Sequence, residues 1–193
     1  MKIRDLTSTP NLLTLLRMIF IPFIATAVLE GDFGWALGLF ILAGLSDGLD
    51  GLLARRMNQK TELGQYLDPI ADKMLLSTMF LVLAIAHKIP WKFTIMVFSR
   101  DVGILLVSAV LYMATPLRDF TPSVFGKANT LAQILTIFLV MVDELTAAPW
   151  ITAAKDIGLW CAFALTLVSW IHYTLLVGHR LRNAGTAGRA AAP

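Results

Sequence analysis

The sequence predicts an all-α integral membrane protein, a six-transmembrane-helix bundle with both termini cytoplasmic. Three observations carry that expectation. Hydrophobic residues make up 57% of the 193, charged residues 15%, and the mean hydropathy is +0.72. Soluble domains hold about 45–50% apolar and 25% charged residues. Apolar segments close to the ~20 residues that cross a bilayer recur along the chain, and Lys and Arg gather on alternate connections.

The apolar segments are, in order, Leu12–Leu29, Phe33–Leu53, Leu67–Ala86, Phe93–Ala114, Ala128–Val142 and Ile157–Val177. The first is followed by Glu30-Gly31-Asp32 without a small-residue cleavage site, which predicts a retained helix rather than a signal peptide. The second runs into Arg55 and Arg56. The third holds Asp68-Pro69, a pairing that also suits a helix N-cap with proline at the first helical position. Between the fourth and fifth, residues 115–122 carry two prolines and read as a loop. The fifth is short, and the sixth leads into an Ala/Gly-rich stretch. No hydrophilic stretch could form a second domain, so residues 1–183 are expected to be one membrane domain and 184–193 a disordered tail.

Charge sets the orientation. Lys2, Arg4, Arg55, Arg56, Lys60, Arg118, Lys127, Arg180, Arg182 and Arg189 fall on one side of the alternating segments. Lys88, Lys92 and Lys155 fall on the other, beside Glu30, Asp32, Asp143, Glu144 and Asp156. The positive-inside rule therefore places both termini and the 54–61 connection in the cytoplasm. The pI of about 9.2 is a topology and lipid-surface signal; no basic patch interleaved with aromatics points to nucleic acid. Cys161 is the single cysteine and reads as a packing residue, and His87, His172 and His179 share no metal-ligand spacing.

The stretch "SDGLDGLLARRMNQKTELGQYLDPIADK", residues 46–73, runs against the rest. Asp47, Asp50, Asp68 and Asp72 lie in or beside apolar runs. An aspartate at a helix centre costs about 2.5–3.5 kcal/mol on an insertion scale. Asp47 and Asp50 are spaced i, i+3 and Asp68 and Asp72 i, i+4, so each pair shares a helix face. The short basic connection makes the two helices antiparallel neighbours, with both pairs at one depth. Four converging carboxylates would repel and take up protons unless a cation joined them. An all-oxygen donor set suits Mg²⁺ or Mn²⁺. Gly48, Gly51 and Gly64 leave room beside the site, and Arg55 and Lys60 add positive charge at its mouth. Metal and arginine beside lipid suit a phosphate-bearing lipid.

The spacing reads D47-x-x-D50-G51-x-x-A54-R55, eight residues, then G64-x-x-x-D68-x-x-x-D72. It resembles, without departure, the signature of the CDP-alcohol phosphatidyltransferases. "PNLLTLLRMIFIPF" (10–23) is similar to that family's opening, and "GKANTLAQ" (126–133) to a later segment of its phosphatidylglycerophosphate synthase branch. The resemblance implies transfer of a phosphatidyl group from CDP-diacylglycerol to an alcohol, with release of CMP. It implies that Asp47, Asp50, Asp68 and Asp72 form the metal site, with two ions, and that Asp72 is the general base on the acceptor hydroxyl. By the same resemblance Asp50, Gly51, Ala54, Arg55 and Thr61 line the CDP-lipid site. A homodimer in a bacterial inner membrane, with the site on the cytoplasmic side, is implied as well.

Arg100, a cation inside the fourth segment, and Lys127, at the start of the fifth, are the candidates to hold an anionic acceptor. Glycerol 3-phosphate is the first expectation, as the commoner activity for a bacterial protein of this size. Phosphatidylglycerol is the alternative. "SRDVGILLVSAVLY" (99–112) and "TPSVFGKANT" (121–130) are more similar to mitochondrial-type cardiolipin synthases. Arg100-Asp101 also stands where the other branch usually has Arg-Glu and a further arginine. A cation transporter would place polar groups in both halves of the bundle, whereas these acids gather at one membrane face.

Overall fold

The computed structural model describes residues 9–57, 62–114 and 124–190, with side chains described for 14–46, 71–104, 106, 107, 125–175 and 178. Six helices and no strand form among the described residues: α1 Thr9–Glu30, α2 Phe33–Met57, α3 Glu62–Ile85, α4 Trp91–Ala114, α5 Val124–Thr146 and α6 Pro149–Ala190. Each sequence segment becomes a helix, and several helices exceed the apolar run that announces them. α3 starts at Glu62, so Asp68 stands inside the helix rather than capping it. α6 is helical through Ala190, into the segment expected as a disordered tail, where Ala and Arg are strong helix formers.

Turns at one end are tight. Gly31 has φ of 82°, and Asp32 caps α2 through Oδ1, which accepts from Trp35 N at 3.3 Å. His87 and Ala147 take the same left-handed conformation after α3 and α5, with φ of 58° and 47°. The helix ends meeting there are tied by charge. Lys88 lies 5.3 Å from the centre of the Phe33 ring at the start of α2 and pairs with Glu144 of α5. Lys155 of α6 pairs with Asp143, which also accepts from Thr152 Oγ1 at 2.6 Å. Lys92 of α4 sits over Phe93 and over Trp160 of α6. The six helices therefore alternate in direction.

Extended contacts run α1 with α2 and α3, and α5 with α2, α3 and α6; α4 touches α3 and α6. Among the described residues this makes two four-helix rings sharing α3 and α5. The first is α1-α2-α5-α3, the second α3-α4-α6-α5. Ile24, Phe40, Met79, Leu83, Ile137 and Met141 belong to the main core. Thr94 closes α4 on α3 by donating to Phe80 O at 3.1 Å.

Polarity is distributed against the soluble pattern. Arg17, Arg100, Asp101, Asn129, Gln133 and Thr166 are buried, whereas Phe23, Trp35, Leu45, Leu106, Trp150 and Ile171 are exposed. That distribution fits an apolar surrounding. Phe125–Thr146 and Pro149–Leu175 are long and apolar enough to cross a membrane, and Phe33–Ser46 is a shorter apolar helix.

Candidate active site

Helical register places the motif. Phe33, Ala36, Phe40 and Ala43 form the buried stripe of α2 in steps of three and four, and the same steps continue to positions 47, 50 and 54, occupied by Asp, Asp and Ala. On α3, Leu76, Met79 and Leu83 are buried in line with position 72. With a rise of about 1.5 Å per residue, Asp50 and Asp68 stand ~10 and ~9 Å from the facing ends of their helices, and Asp47 and Asp72 ~15 Å each. The two pairs thus lie at matching heights on antiparallel helices.

One expectation changes. α2 and α3 are antiparallel, but they share no extended contact among the described residues; they are diagonal in the first ring, with α1 and α5 bridging them. Both make extended contacts with α1 and α5 among the described residues. Asp72 is half-buried. Asp47, Asp50, Gly51, Ala54, Arg55 and Asp68 lie on helical backbone with side chains outside those described, and Thr61 lies outside the described residues. A set of carboxylate oxygens without thiolate or imidazole fits a hard divalent cation.

The acceptor candidates separate. Lys127 is exposed on the first turn of α5, at the same end of the bundle as the motif. Arg100 is 4% exposed, inside the second ring. Its Nη1 donates to Asp101 Oδ1 at 2.6 Å and its Nη2 to Ser169 Oγ at 2.8 Å. Lys73, the residue after Asp72, donates to the same Asp101 oxygen at 3.0 Å. A small apolar cavity lies between α4 and α6 beside this network, lined by Gly103, Ile104, Val107, Trp170, Tyr173 and Thr174.

Sequence reasoning passed over several interior polar residues. Arg17 of α1 is 1% exposed, and a cation inside an apolar run is the signal already applied to Arg100. Lys73 carries that signal too. Asn129, Gln133 and Thr136 form a buried stripe at i, i+4 and i+7 on α5, and Asn129 Oδ1 accepts from Thr166 Oγ1 of α6 at 2.9 Å. The i, i+4, i+7 spacing of polar residues in an apolar helix would have found them.

Residues 7–168 match the model of the CDP-alcohol phosphatidyltransferase family, from the start of α1 into α6 and across the whole motif. The chain belongs to that family. Among curated relatives it is similar to a cardiolipin synthase (CMP-forming) of Rattus norvegicus, 39% identical over 85% of this chain and 60% of that protein. A human protein of the same name is 37% identical with the same coverage, so the chain spans about 60% of the length of these two relatives. It is also similar to a CDP-diacylglycerol–glycerol-3-phosphate 3-phosphatidyltransferase of Aquifex aeolicus, 33% identical over 87% of this chain and 94% of that protein.

Proposed function

We propose that the protein transfers a phosphatidyl group from CDP-diacylglycerol to an anionic alcohol, releasing CMP, at the site between α2 and α3. The observation that carries this reading is the register that sets positions 47, 50 and 72 in line with the buried stripes of two antiparallel helices, in a chain whose family match spans the motif. The acceptor hydroxyl forms a new oxygen–phosphorus bond at the phosphatidyl phosphorus. The pyrophosphate bond breaks, CMP leaves with the electron pair, and the hydroxyl proton goes to the Asp72 carboxylate. Asp47, Asp50 and Asp68, completed by Asp72, would hold two Mg²⁺ or Mn²⁺ ions, which supply neutralising charge to the diphosphate and the departing CMP. Gly51, Ala54, Arg55 and Thr61 would line the CDP side. Lys127, near the mouth, would draw the acceptor's anionic group, and Arg100 would fix it from the interior.

For the acceptor, we put phosphatidylglycerol first. The 39% identity to the rat cardiolipin synthase exceeds the 33% to the Aquifex enzyme, and Lys92 and Arg100 are the only basic residues of α4. Glycerol 3-phosphate, the first expectation from the sequence, remains the second reading, favoured by the coverage of 94% of the Aquifex relative. Both acceptors present a free hydroxyl near an anionic phosphate. The embedding we propose has six spans with both termini and the motif on the cytoplasmic side of a bacterial inner membrane, in a homodimer. Trp35, Trp91 and Trp150, exposed at the starts of α2, α4 and α6, would form the aromatic belt at the opposite interface.

The test is mass spectrometry of the lipid product, with both acceptors offered in parallel to purified protein and CDP-diacylglycerol. Cardiolipin is the expected product. Phosphatidylglycerophosphate would move the assignment to glycerol 3-phosphate, and no CMP release with either would overturn the reaction.

A further inference from the structure

Lys73 has no part in the reaction as set out above, yet it joins a buried ionic network next to Asp72. A single carboxylate oxygen, Asp101 Oδ1, accepts from Lys73 Nζ at 3.0 Å and from Arg100 Nη1 at 2.6 Å. Arg100 Nη2 continues to Ser169 Oγ at 2.8 Å. The three groups of α4 and α6 are buried, and the Lys73 side chain is 27% exposed. The chain of contacts runs from α3 through α4 to α6 across the second ring.

Stability alone does not account for such a network. Charges removed from water lose solvation that their mutual attraction often fails to recover, and apolar residues of similar size commonly do as well. Here two cations share one carboxylate oxygen, while Asp101 Oδ2 and Arg100 Nε are buried without a hydrogen-bond partner among the described residues. What a network of this kind does well is fix relative position, because each partner's geometry is directional.

The position fixed is informative. Lys73 follows Asp72 directly, so holding its ammonium against α4 sets the rotation and height of the α3 turn that carries Asp72. Arg100, assigned above to the acceptor, hangs on the same oxygen. The geometry points to Lys73 and Asp101 as positioning residues for phosphatidyl transfer, the ion pair fixing Asp72 relative to Arg100. This inference rests on the reading of the site given above.

The experiment compares wild type, Lys73→Gln, Asp101→Asn and the double variant at saturating metal. CMP release gives kcat and the KM of each substrate, and hydrogen exchange in detergent follows the backbone of residues 69–76. A displaced catalytic group slows turnover more than it weakens substrate binding, so each single variant should lower kcat about tenfold while the CDP-diacylglycerol KM stays within about twofold. The double variant should be no slower than the worse single, because the pair acts as one unit. Lys73→Arg, which keeps the cation, should retain most of the activity. Exchange over 69–76 should rise in both single variants while exchange over 134–141 of α5 stays as in wild type.

Losses that multiply in the double variant, or full kcat in Lys73→Gln, would overturn the inference. So would exchange that rises equally in both segments, since that marks general loosening. Lys73→Gln, at a part-exposed position, keeps the test decisive where Asp101→Asn fails to fold. If wild type released no CMP, the reading of the site would fall, and exchange over 69–76 would still decide whether the pair fixes that turn.

Discussion

The motif aspartates are chemically alike, yet the metal-holding and proton-accepting roles proposed for them are separable by experiment. Asp47→Asn keeps an oxygen ligand and removes a negative charge, so the rate should fall and recover in part with excess Mg²⁺. Asp72→Asn removes the basic lone pair, and general-base loss costs about 10²–10⁴-fold, which metal does not restore. Turnover against Mg²⁺ concentration for both variants checks this, with CDP-diacylglycerol binding followed separately. Recovery of Asp72→Asn to near wild-type turnover would make Asp72 a ligand only. Gly103 offers a packing test. A Cβ there would stand 2.8 Å from Trp170 Cζ2, so the indole next to Ser169 must move. Gly103→Ala should lower stability by about 1–3 kcal/mol. Thermal unfolding in detergent reads it, and an unchanged midpoint would mean that α4 and α6 separate more easily than their packing implies.

At the scale of elements, the helix ends away from the motif are joined by turns whose strain can be relieved. Ala147, exposed, holds φ of 47° while its N–H donates to Asp143 O at 2.9 Å. A left-handed conformation costs a residue with a Cβ roughly 1–2 kcal/mol, which glycine avoids. Ala147→Gly should therefore stabilise the protein by about 1 kcal/mol. A lower unfolding midpoint would contradict the turn geometry. The elements themselves were legible in the sequence, because apolar run length and punctuating Gly, Pro and charge report helices directly. Their partnering was less so. A short connection fixes α2 and α3 as antiparallel, but says nothing of α1 and α5 bridging them, since that choice depends on side-chain shape across four helices. The spacing of Asp47, Asp50, Asp68 and Asp72 is a property of the sequence itself. The pairing of Lys73 is not legible there, because its partner Asp101 is 28 residues away and only the packing of α3 on α4 brings them together.

At the scale of the whole molecule, the account requires the motif end of the bundle to face the cytoplasm. Single cysteines at position 153 and at position 2, each in a Cys161→Ser background, should react oppositely with a membrane-impermeant maleimide added to intact cells. Position 153 should label and position 2 should not. The reverse pattern would invert the topology. The central claim is the proposal that the four motif carboxylates work through divalent cations to transfer a phosphatidyl group. The most direct measurement is CMP release from CDP-diacylglycerol by the purified protein, with phosphatidylglycerol present, before EDTA, after EDTA and after Mg²⁺ is returned. Turnover should vanish with the chelator and come back with the metal, because an oxygen-only site binds a hard cation reversibly. Full turnover in the chelated enzyme would contradict the account.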